Sequence, residues 1–349
     1  MPFLNDLIEH NKQSIAQQKY QQDGIKQRIS QSRFLFEPAK VMALLQERIV
    51  GQDAALQQID NMLQVLKADF SNPERPLSVT LMLGPTGVGK TETVRLIAEA
   101  IYGRPDAFCR IDMNTLAQEH YAAALTGAPP GYVGSKEGTT LFDIDAIQGS
   151  FSKPGIVLFD ELEKASTEVI RSLLNVLDSG KMTLSSGAKT IDFRNSLIFM
   201  TSNVGAKTLQ QHWKQPLRSI RHVLKSRTQH EHELIDTALH QQFDPEFLNR
   251  IDRTLCYHRV GKDFMPALIN IELKKLNSRL AKQGRTVSLD HKAMRHLAKG
   301  HDARFGARDL ARKFRTQLEP ALASFILQHP DSMALNVGLK QGQLYVQEL

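Results

Sequence analysis

The chain contains little cysteine, and the two cysteines it has are far apart. Cys109 and Cys256 are the only cysteines in 349 residues, and they lack the paired spacing of metal ligands. This usage argues against a disulfide framework and against a zinc site. It predicts a protein of a reducing compartment.

Long apolar runs are also lacking. No stretch approaches the length of a membrane span, and the first residues, MPFLNDLIEHNKQS, show no charged-then-apolar signal pattern. The sequence therefore predicts a cytoplasmic protein with no membrane partner.

The chain has a modest excess of positive charge. Lys and Arg number 44 against 37 Asp and Glu, a net charge of +7. This excess suits a nucleic-acid partner. Nucleotide pockets and subunit interfaces also use many arginines, so the charge alone leaves both interpretations open.

The patterning predicts an extension followed by two domains. Residues 1–44 are polar and glutamine-rich, which indicates a helical or partly disordered extension. Strand and helix patterns then alternate through 45–257 and predict an α/β domain, a parallel sheet between helices. Residues 258–349 predict a smaller, mainly helical α+β domain that ends in a β-hairpin around KQGQ. Two amphipathic helices interrupted by Gly51 open the large domain, with apolar positions at Val41, Leu44, Leu45, Ile49, Leu56, Ile59, Leu63 and Leu66.

The stretch GPTGVGKT follows an apolar strand and opens a helix. It matches the pattern G-x-x-x-x-G-K-[ST], in which glycines let backbone N–H groups wrap a phosphate. Lys90 would reach the β- and γ-phosphates, and the hydroxyl of Thr91 would ligate Mg²⁺. The nucleotide-binding residues are therefore predicted to be Gly84, Pro85, Thr86, Gly87, Val88, Gly89, Lys90 and Thr91.

A second strand, GIVLFDE, ends in two acids. Asp160 is placed to hold magnesium, and Glu161 to polarise the attacking water. Taken alone, the pair could equally cap the helix that follows, but together with the phosphate-binding loop GPTGVGKT, the P-loop, the catalytic interpretation is favoured. The sequence has no N/T-K-x-D motif that would read guanine, so the predicted cofactors are ATP and Mg²⁺.

Other polar residues are candidates for phosphoryl transfer. The strand SLIFMTSN ends in Thr201, Ser202 and Asn203, and a polar residue there could orient the lytic water, although Ser-Asn also favours a simple turn. Arg250 in FLNRID and Arg308 in GARDL could bring a cation to the γ-phosphate from another domain or subunit. Spacing does not decide between them.

The loop GAPPGYVG, residues 127–134, surrounds Tyr132 with glycine and proline, which exclude a regular helix or central strand. Its residues Gly131, Tyr132, Val133 and Gly134 offer apolar contact. A loop that binds DNA would carry Lys or Arg for the phosphates. The loop therefore favours a protein substrate over a nucleic acid.

Together these motifs resemble the AAA+ superfamily, and within it the second ATPase module of ClpB- and ClpA-type unfoldases. IVGQ, GPTGVGKTE, RIDM, GAPPGYVG, VLFDELEKA, LLNVLDSG, DFRN, MTSNVGA, FLNRID and GARDL occur in the order of that family, over about residues 45–349. The resemblance implies a ring hexamer that pulls polypeptide through a central channel. The resemblance also implies a role for each matching residue. Ile49 and Val50 would contact adenine, Asp160 and Glu161 would be the Walker B acids, and Asn203 and Arg308 would be the first and second sensors. Arg250 would be the arginine finger, and Gly131, Tyr132, Val133 and Gly134 would form the pore loop.

The sequence also departs from the two-ring members of that family. It has no first ATPase module and no coiled-coil middle domain, so we expect a single-ring protein. No Ile/Leu-Gly-Phe tripeptide lies between Asn203 and Arg250, which argues against docking to the ClpP protease. The interval 204–230 instead holds six Lys or Arg and no acid. That basic segment is either a solvated helix face or, like the N-terminal extension, a surface for an adaptor.

The leading functional hypothesis is a homo-hexameric, ATP-driven protein unfoldase or remodelling chaperone. The alternative is an ATP-dependent assembly or nucleic-acid-remodelling factor that acts on one dedicated partner without threading it. The complete set of hydrolysis residues favours turnover but does not exclude the alternative.

Overall fold

The computed structural model describes residues 32–117, 142–183, 190–205, 227–300 and 306–349, with the backbone alone for 227–232. Contacts divide the chain into two units. The first takes in the chain up to Gln46, together with Ala54–Gly84 and Lys90–Tyr257. The second takes in Glu47–Asp53, Pro85–Gly89 and His258–Leu349.

A parallel sheet of five strands forms the centre of the first unit. The strands are β1 (Ser78–Leu83), β2 (Cys109–Asp112), β3 (Gly155–Asp160), β6 (Ser196–Ser202) and β7 (Arg253–Cys256). Their order across the sheet is β2–β3–β6–β1–β7, and every neighbouring pair is parallel. Strands β1, β3 and β6 are buried along their whole length, which explains why their sequences are almost continuously apolar. A separate antiparallel pair joins β4 (Lys181–Thr183) to β5 (Thr190–Asp192).

Helices connect and cover these strands. They are α1 (Pro38–Arg48), α2 (Asp53–Ala68), α3 (Lys90–Tyr102), α4 (Ile144–Gln148), α5 (Thr167–Ser179), α6 (Arg227–Gln242) and α7 (Pro245–Leu248). Local sequence sets the ends of α5: the side chain of Ser166 accepts a hydrogen bond from the Val169 N–H, and Gly180 stops the helix with a φ of 63°. The buried face of α5 joins the main core with the inward side chains of the sheet.

The second unit packs helices on a three-stranded sheet. Its helices are α8 (Met265–Leu280), α9 (His291–Ala298), α10 (Ala307–Lys313) and α11 (Glu319–Gln328), with a π-helical turn at Phe314–Leu318. Its strands are β8 (Thr286–Leu289), β9 (Ala334–Lys340) and β10 (Gln343–Glu348). Strand β9 pairs antiparallel with β10 and parallel with β8. A core of its own lies between the helices and this sheet.

The structure confirms the predicted fold class. The large-domain sheet is parallel with helices around it, and the C-terminal part is mainly helical with a small sheet. The helix pair α1 and α2 is present, interrupted at Gly51, which has a φ of 69°. The hairpin around KQGQ is the β9–β10 pair. In the described ranges, no helix combines the length and the apolar character required to cross a membrane.

Candidate nucleotide-hydrolysis site

The P-loop leaves the carboxyl end of β1 and leads into α3, whose first residue is Lys90. Gly84 has a φ of 140°, and a Cβ at this position would collide with the carbonyl oxygen of Tyr257. Tyr257 is itself fixed: its N–H donates to the carbonyl of Leu83 and its hydroxyl to Oγ1 of Thr93, and its burial raises the pKa of the phenol. The close approach at the start of the loop therefore requires glycine.

Lys90 links the P-loop to the end of β6. Its ammonium donates to the carbonyl oxygen of Gly84 and, over 2.9 Å, to Oδ1 of Asn203. Asn203 in turn donates from its backbone N and from Nδ2 to Oε1 of Glu163, at 3.3 and 3.1 Å. The structure thus brings together Lys90 and Asn203, and it adds Glu163, for which the sequence analysis predicted no role.

Asp160 lies beside this group, at the carboxyl end of β3. It is buried, with 6% of its surface exposed, and both of its oxygens accept hydrogen bonds. Arg110 donates to Oδ2 from Nη2 at 2.6 Å and from Nε at 3.1 Å. The hydroxyl of Thr201 donates to Oδ1 at 2.5 Å and accepts from the Glu161 N–H at 3.0 Å. A single hydroxyl on β6 therefore connects the two acids that the sequence predicted as a pair.

Glu161 has an unusual backbone conformation. Its φ of 60° and ψ of 51° place it in the left-handed region, which is uncommon for a residue with a Cβ. Such conformations cost about 1–3 kcal/mol and persist where the surroundings fix them. Here the hydrogen bond from its N–H to Thr201 and the turn into the short helix Leu162–Lys164 fix the position.

The alternative interpretation of these acids as helix caps is not observed. Glu161 precedes the short helix Leu162–Lys164, yet its side chain makes no capping hydrogen bond. The following helix, α5, is capped by Ser166. Asp160 instead accepts from Arg110 and Thr201.

Arg250 lies in the first unit and makes its contacts at the end of α5. Its Nε is 3.0 Å from Oδ1 of Asp178, in an ion pair whose side chains are 36% and 63% exposed. Its carbonyl oxygen accepts from Nη2 of Arg75, and the same nitrogen pairs with Asp252 at 3.2 Å. Asp252 accepts from the N–H of Val79 at 2.7 Å. The backbone of Arg250 is thereby tied to the start of β1, while its guanidinium lies near the surface.

The second unit holds the other candidate residues. They are Ile49, Val50, Pro85, Thr86, Gly87, Val88, Gly89 and Arg308. A Cβ at Gly89 would lie 3.3 Å from Cδ1 of the buried Ile49, and Val50 packs against the core of this unit. The N–H of Ala307, at the start of α10, donates to the carbonyl of Gly87 over 3.0 Å, and the next residue, Arg308, is exposed.

Several candidates lie outside the described residues. These are the pore-loop residues Gly131, Tyr132, Val133 and Gly134, residues 206–226 of the basic segment, and residues 1–31 of the extension. Their roles stay predictions from the sequence.

The donors and acceptors of the site fit a nucleotide with magnesium. The ammonium of Lys90 and the N–H groups at the start of α3 are donors that suit phosphate oxygens. The hydroxyl of Thr91 and the carboxylate of Asp160 are the hard oxygen ligands that Mg²⁺ prefers. Position 84 has no room for a side chain, and glycine meets that requirement. Magnesium ATP bound here would supply the phosphoryl group for transfer to water.

Comparison with known families identifies the chain. Residues 75–254 match the profile of the AAA domain (Cdc48 subfamily). Residues 261–333 match that of the C-terminal, D2-small domain of ClpB protein. This chain is an AAA+ ATPase of the Clp family. Its two matched segments have the order of the second ATPase module of ClpB-type proteins, as the sequence predicted, and the family is one of ATP-driven unfoldases and chaperones.

The relatives of this AAA+ ATPase include proteins of similar length. The Pseudomonas aeruginosa ATP-dependent protease ATP-binding subunit-like protein AmiB is 44% identical, over 94% of this chain and 93% of its own length. A Rhodococcus erythropolis ATP-dependent protease ATP-binding subunit-like protein is 42% identical, over 84% of both chains.

Other relatives are longer. The ClpB chaperone of Mesorhizobium japonicum is 39% identical over 80% of this chain but only 31% of its own length. The structure of a complex of S. cerevisiae Hsp104 with casein superposes with a TM-score of 0.75 and 28% identity, over 89% of this chain and 52% of Hsp104. The chain thus spans about a third of that ClpB and half of Hsp104.

Arg110 and Glu163 had no predicted role, and Thr201 was named only as one of three polar residues at the end of its strand. Arg110 stands in the motif RIDM, Glu163 in DELEKA, and Thr201 two residues before Asn203. The motifs contain these residues, but only the pairing of β2 with β3 and of β3 with β6 brings them together.

Proposed function

We propose that this AAA+ ATPase assembles as a ring of six copies and uses ATP hydrolysis to pull on polypeptide. The observation that carries the proposal is the connected set of side chains at the carboxyl ends of β1, β3 and β6. There Lys90 reaches Asn203, and Thr201 joins Asp160 to Glu161. A P-loop cation, a candidate metal ligand and a candidate base thereby lie in one connected arrangement.

The roles proposed within the first unit follow from this arrangement. Gly84, Lys90 and Thr91 bind phosphate, and Thr91 and Asp160 hold Mg²⁺. Glu161 polarises the attacking water, because it is the acid whose side chain makes no capping bond and whose backbone is fixed by Thr201. Asn203 helps to orient that water.

The remaining roles rest on the motifs. Ile49 and Val50 contact adenine, Pro85–Gly89 bind phosphate, and Arg308 acts as second sensor. Arg250 acts on the ATP of a neighbouring copy, for which its half-exposed side chain and anchored backbone are suited. The proposed domains are an extension at 1–44, a large ATPase domain at 45–257 and a small domain at 258–349.

The proposed substrate is protein. Hsp104, to which this chain is similar, has been visualised with casein, and with ATPγS and FITC-casein. The loop Gly131–Gly134 supplies apolar contact through Tyr132 and no cation. Gripping of this kind does not depend on the substrate's sequence. We propose that an adaptor binds the basic segment 204–230 or the extension, and that the chain does not dock to ClpP.

The direct test of hydrolysis is the Glu161→Gln variant. We expect it to bind ATP with little change in affinity, to lose turnover by about 10²-fold or more, and to sediment as a stable ring in ATP. Glu168→Gln, an exposed acid at the start of α5, is the matched control and should turn over normally. Wild-type turnover by Glu161→Gln would remove Glu161 from its role.

A further inference from the structure

Glu163 has a buried oxygen with no hydrogen-bond partner. Its Oε1 accepts the two bonds from Asn203, but its Oε2 is buried and has no partner among the described residues. No other buried side-chain oxygen or nitrogen in the described part of the chain is left in this way. Burial of a charged acceptor without a partner is unfavourable, so the side chain is not there merely to fill space.

The neighbours of Asn203 determine how its amide is oriented. An ammonium group can only donate hydrogen bonds and a carboxylate can only accept them. Lys90 lies on one side of the amide and Glu163 on the other. If the amide were turned over, its NH₂ would face the ammonium and its oxygen the carboxylate, and both contacts would be repulsive. Only one orientation is therefore compatible with these two partners.

Glu163 also holds the backbone next to that amide. The N–H of Asn203 donates to the same oxygen, so the carboxylate fixes both the main chain and the side chain of this residue. Glu163 is itself held on the turn that begins at Glu161, where the Lys164 N–H donates to the Glu161 carbonyl. The candidate base and the candidate sensor are thus connected through one three-residue helix.

We propose that Glu163 is a positioning residue for ATP hydrolysis. It retains the NH₂ of Asn203 and so leaves the carbonyl oxygen as the end that faces Lys90. When Lys90 binds phosphate, Asn203 keeps this orientation because Glu163 still holds it, and its carbonyl oxygen is available to accept a hydrogen bond from the attacking water. The inference rests on the proposed function, since it gives a physical basis for the action of Asn203.

The test is a double-mutant cycle on the full chain. The variants are Asn203→Ala, Glu163→Ala and the combination of the two, with Glu168→Ala as control. We expect each single change to lower kcat by about tenfold or more, with KM for ATP changed by less than about threefold, because orientation rather than binding is lost. The double variant should be no slower than Asn203→Ala alone. Glu168→Ala should keep the wild-type kcat.

A conservative variant guards against misfolding. Glu163→Gln keeps a carbonyl oxygen that can accept from Nδ2 of Asn203, so it should restore part of the kcat lost in Glu163→Ala. If Glu163→Ala does not fold, the same cycle is run with Glu163→Gln.

The outcomes separate the inference from the proposed function. If Asn203→Ala keeps the wild-type kcat, Asn203 has no part in hydrolysis, and the inference fails with that assignment. A slow Asn203→Ala beside a fully active Glu163→Ala overturns the inference alone. An equal loss from Glu163→Ala in both backgrounds shows that Glu163 does not act through Asn203, which also overturns it.

Discussion

The carboxylate of Asp160 accepts hydrogen bonds from side chains on two neighbouring strands. Arg110 on β2 neutralises one oxygen, and Thr201 on β6 donates to the other. Neither bond could be predicted from spacing, because each depends on how the strands align: Asp112 lies opposite Asp160, and Met200 opposite Phe159. The motif residues Lys90, Asp160 and Glu161 could be named as candidates because each stands within a contiguous pattern, and their roles stay predictions.

Replacing Thr201 with valine tests the bridge between the acids. Valine keeps the shape of the buried side chain but removes the hydroxyl, which leaves the N–H of Glu161 and one oxygen of Asp160 without this partner. We expect the free energy of unfolding to fall by about 1–3 kcal/mol in urea titrations, with lower ATP turnover. Thr190→Val, at an exposed threonine of β5, is the control and should change stability by less than about 0.5 kcal/mol. Equal stability of the two variants would contradict the bridging role.

At the scale of elements, the segment from α7 to β7 determines where Arg250 lies. The chain turns after α7. There the carbonyl oxygen of Arg250 accepts a hydrogen bond from Arg75, and the carboxylate of Asp252 accepts one from the N–H of Val79. The motif FLNRID made Arg250 a candidate, but nothing in that motif indicates Asp178 as its ion-pair partner. That contact joins residues on α5 and after α7 that are far apart in sequence.

The Arg250–Asp178 pair provides a matched test of the arginine finger. We expect Arg250→Ala to lower ATP turnover by about 10³-fold while nucleotide binding is retained, because the transition state loses a cation. Asp178→Asn breaks the same ion pair but keeps the guanidinium. Since the pair is exposed, this change should alter stability by less than about 1 kcal/mol and leave turnover largely intact. If Asp178→Asn were as inactive as Arg250→Ala, the ion pair and not the cation would be what hydrolysis requires.

Several predicted elements are confirmed because their sequence signals are local. The apolar strands β1, β3 and β6, the glycine-interrupted pair α1 and α2, and the final hairpin each show their pattern within one stretch of sequence. The order of the strands across the sheet and the contacts of Glu163 depend on distant segments, and no single stretch contains that information.

At the scale of the whole molecule, the chain is an AAA+ ATPase of the Clp family with two compact units. Two relatives match it over most of their own length, whereas ClpB and Hsp104 extend well beyond it. Most of this chain therefore has a counterpart in all of these proteins, and what it acts on must be tested on this chain itself.

The most direct measurement is the binding of FITC-casein to the Glu161→Gln variant, followed by fluorescence anisotropy with and without ATP. Our account predicts that ATP raises the anisotropy, because a ring that cannot hydrolyse ATP retains the polypeptide it grips. Adding Tyr132→Ala to the same variant should abolish that rise while ATP binding and ring size stay unchanged. A rise that survives Tyr132→Ala, or no rise at all in an ATP-bound ring, would contradict the claim that this loop grips polypeptide.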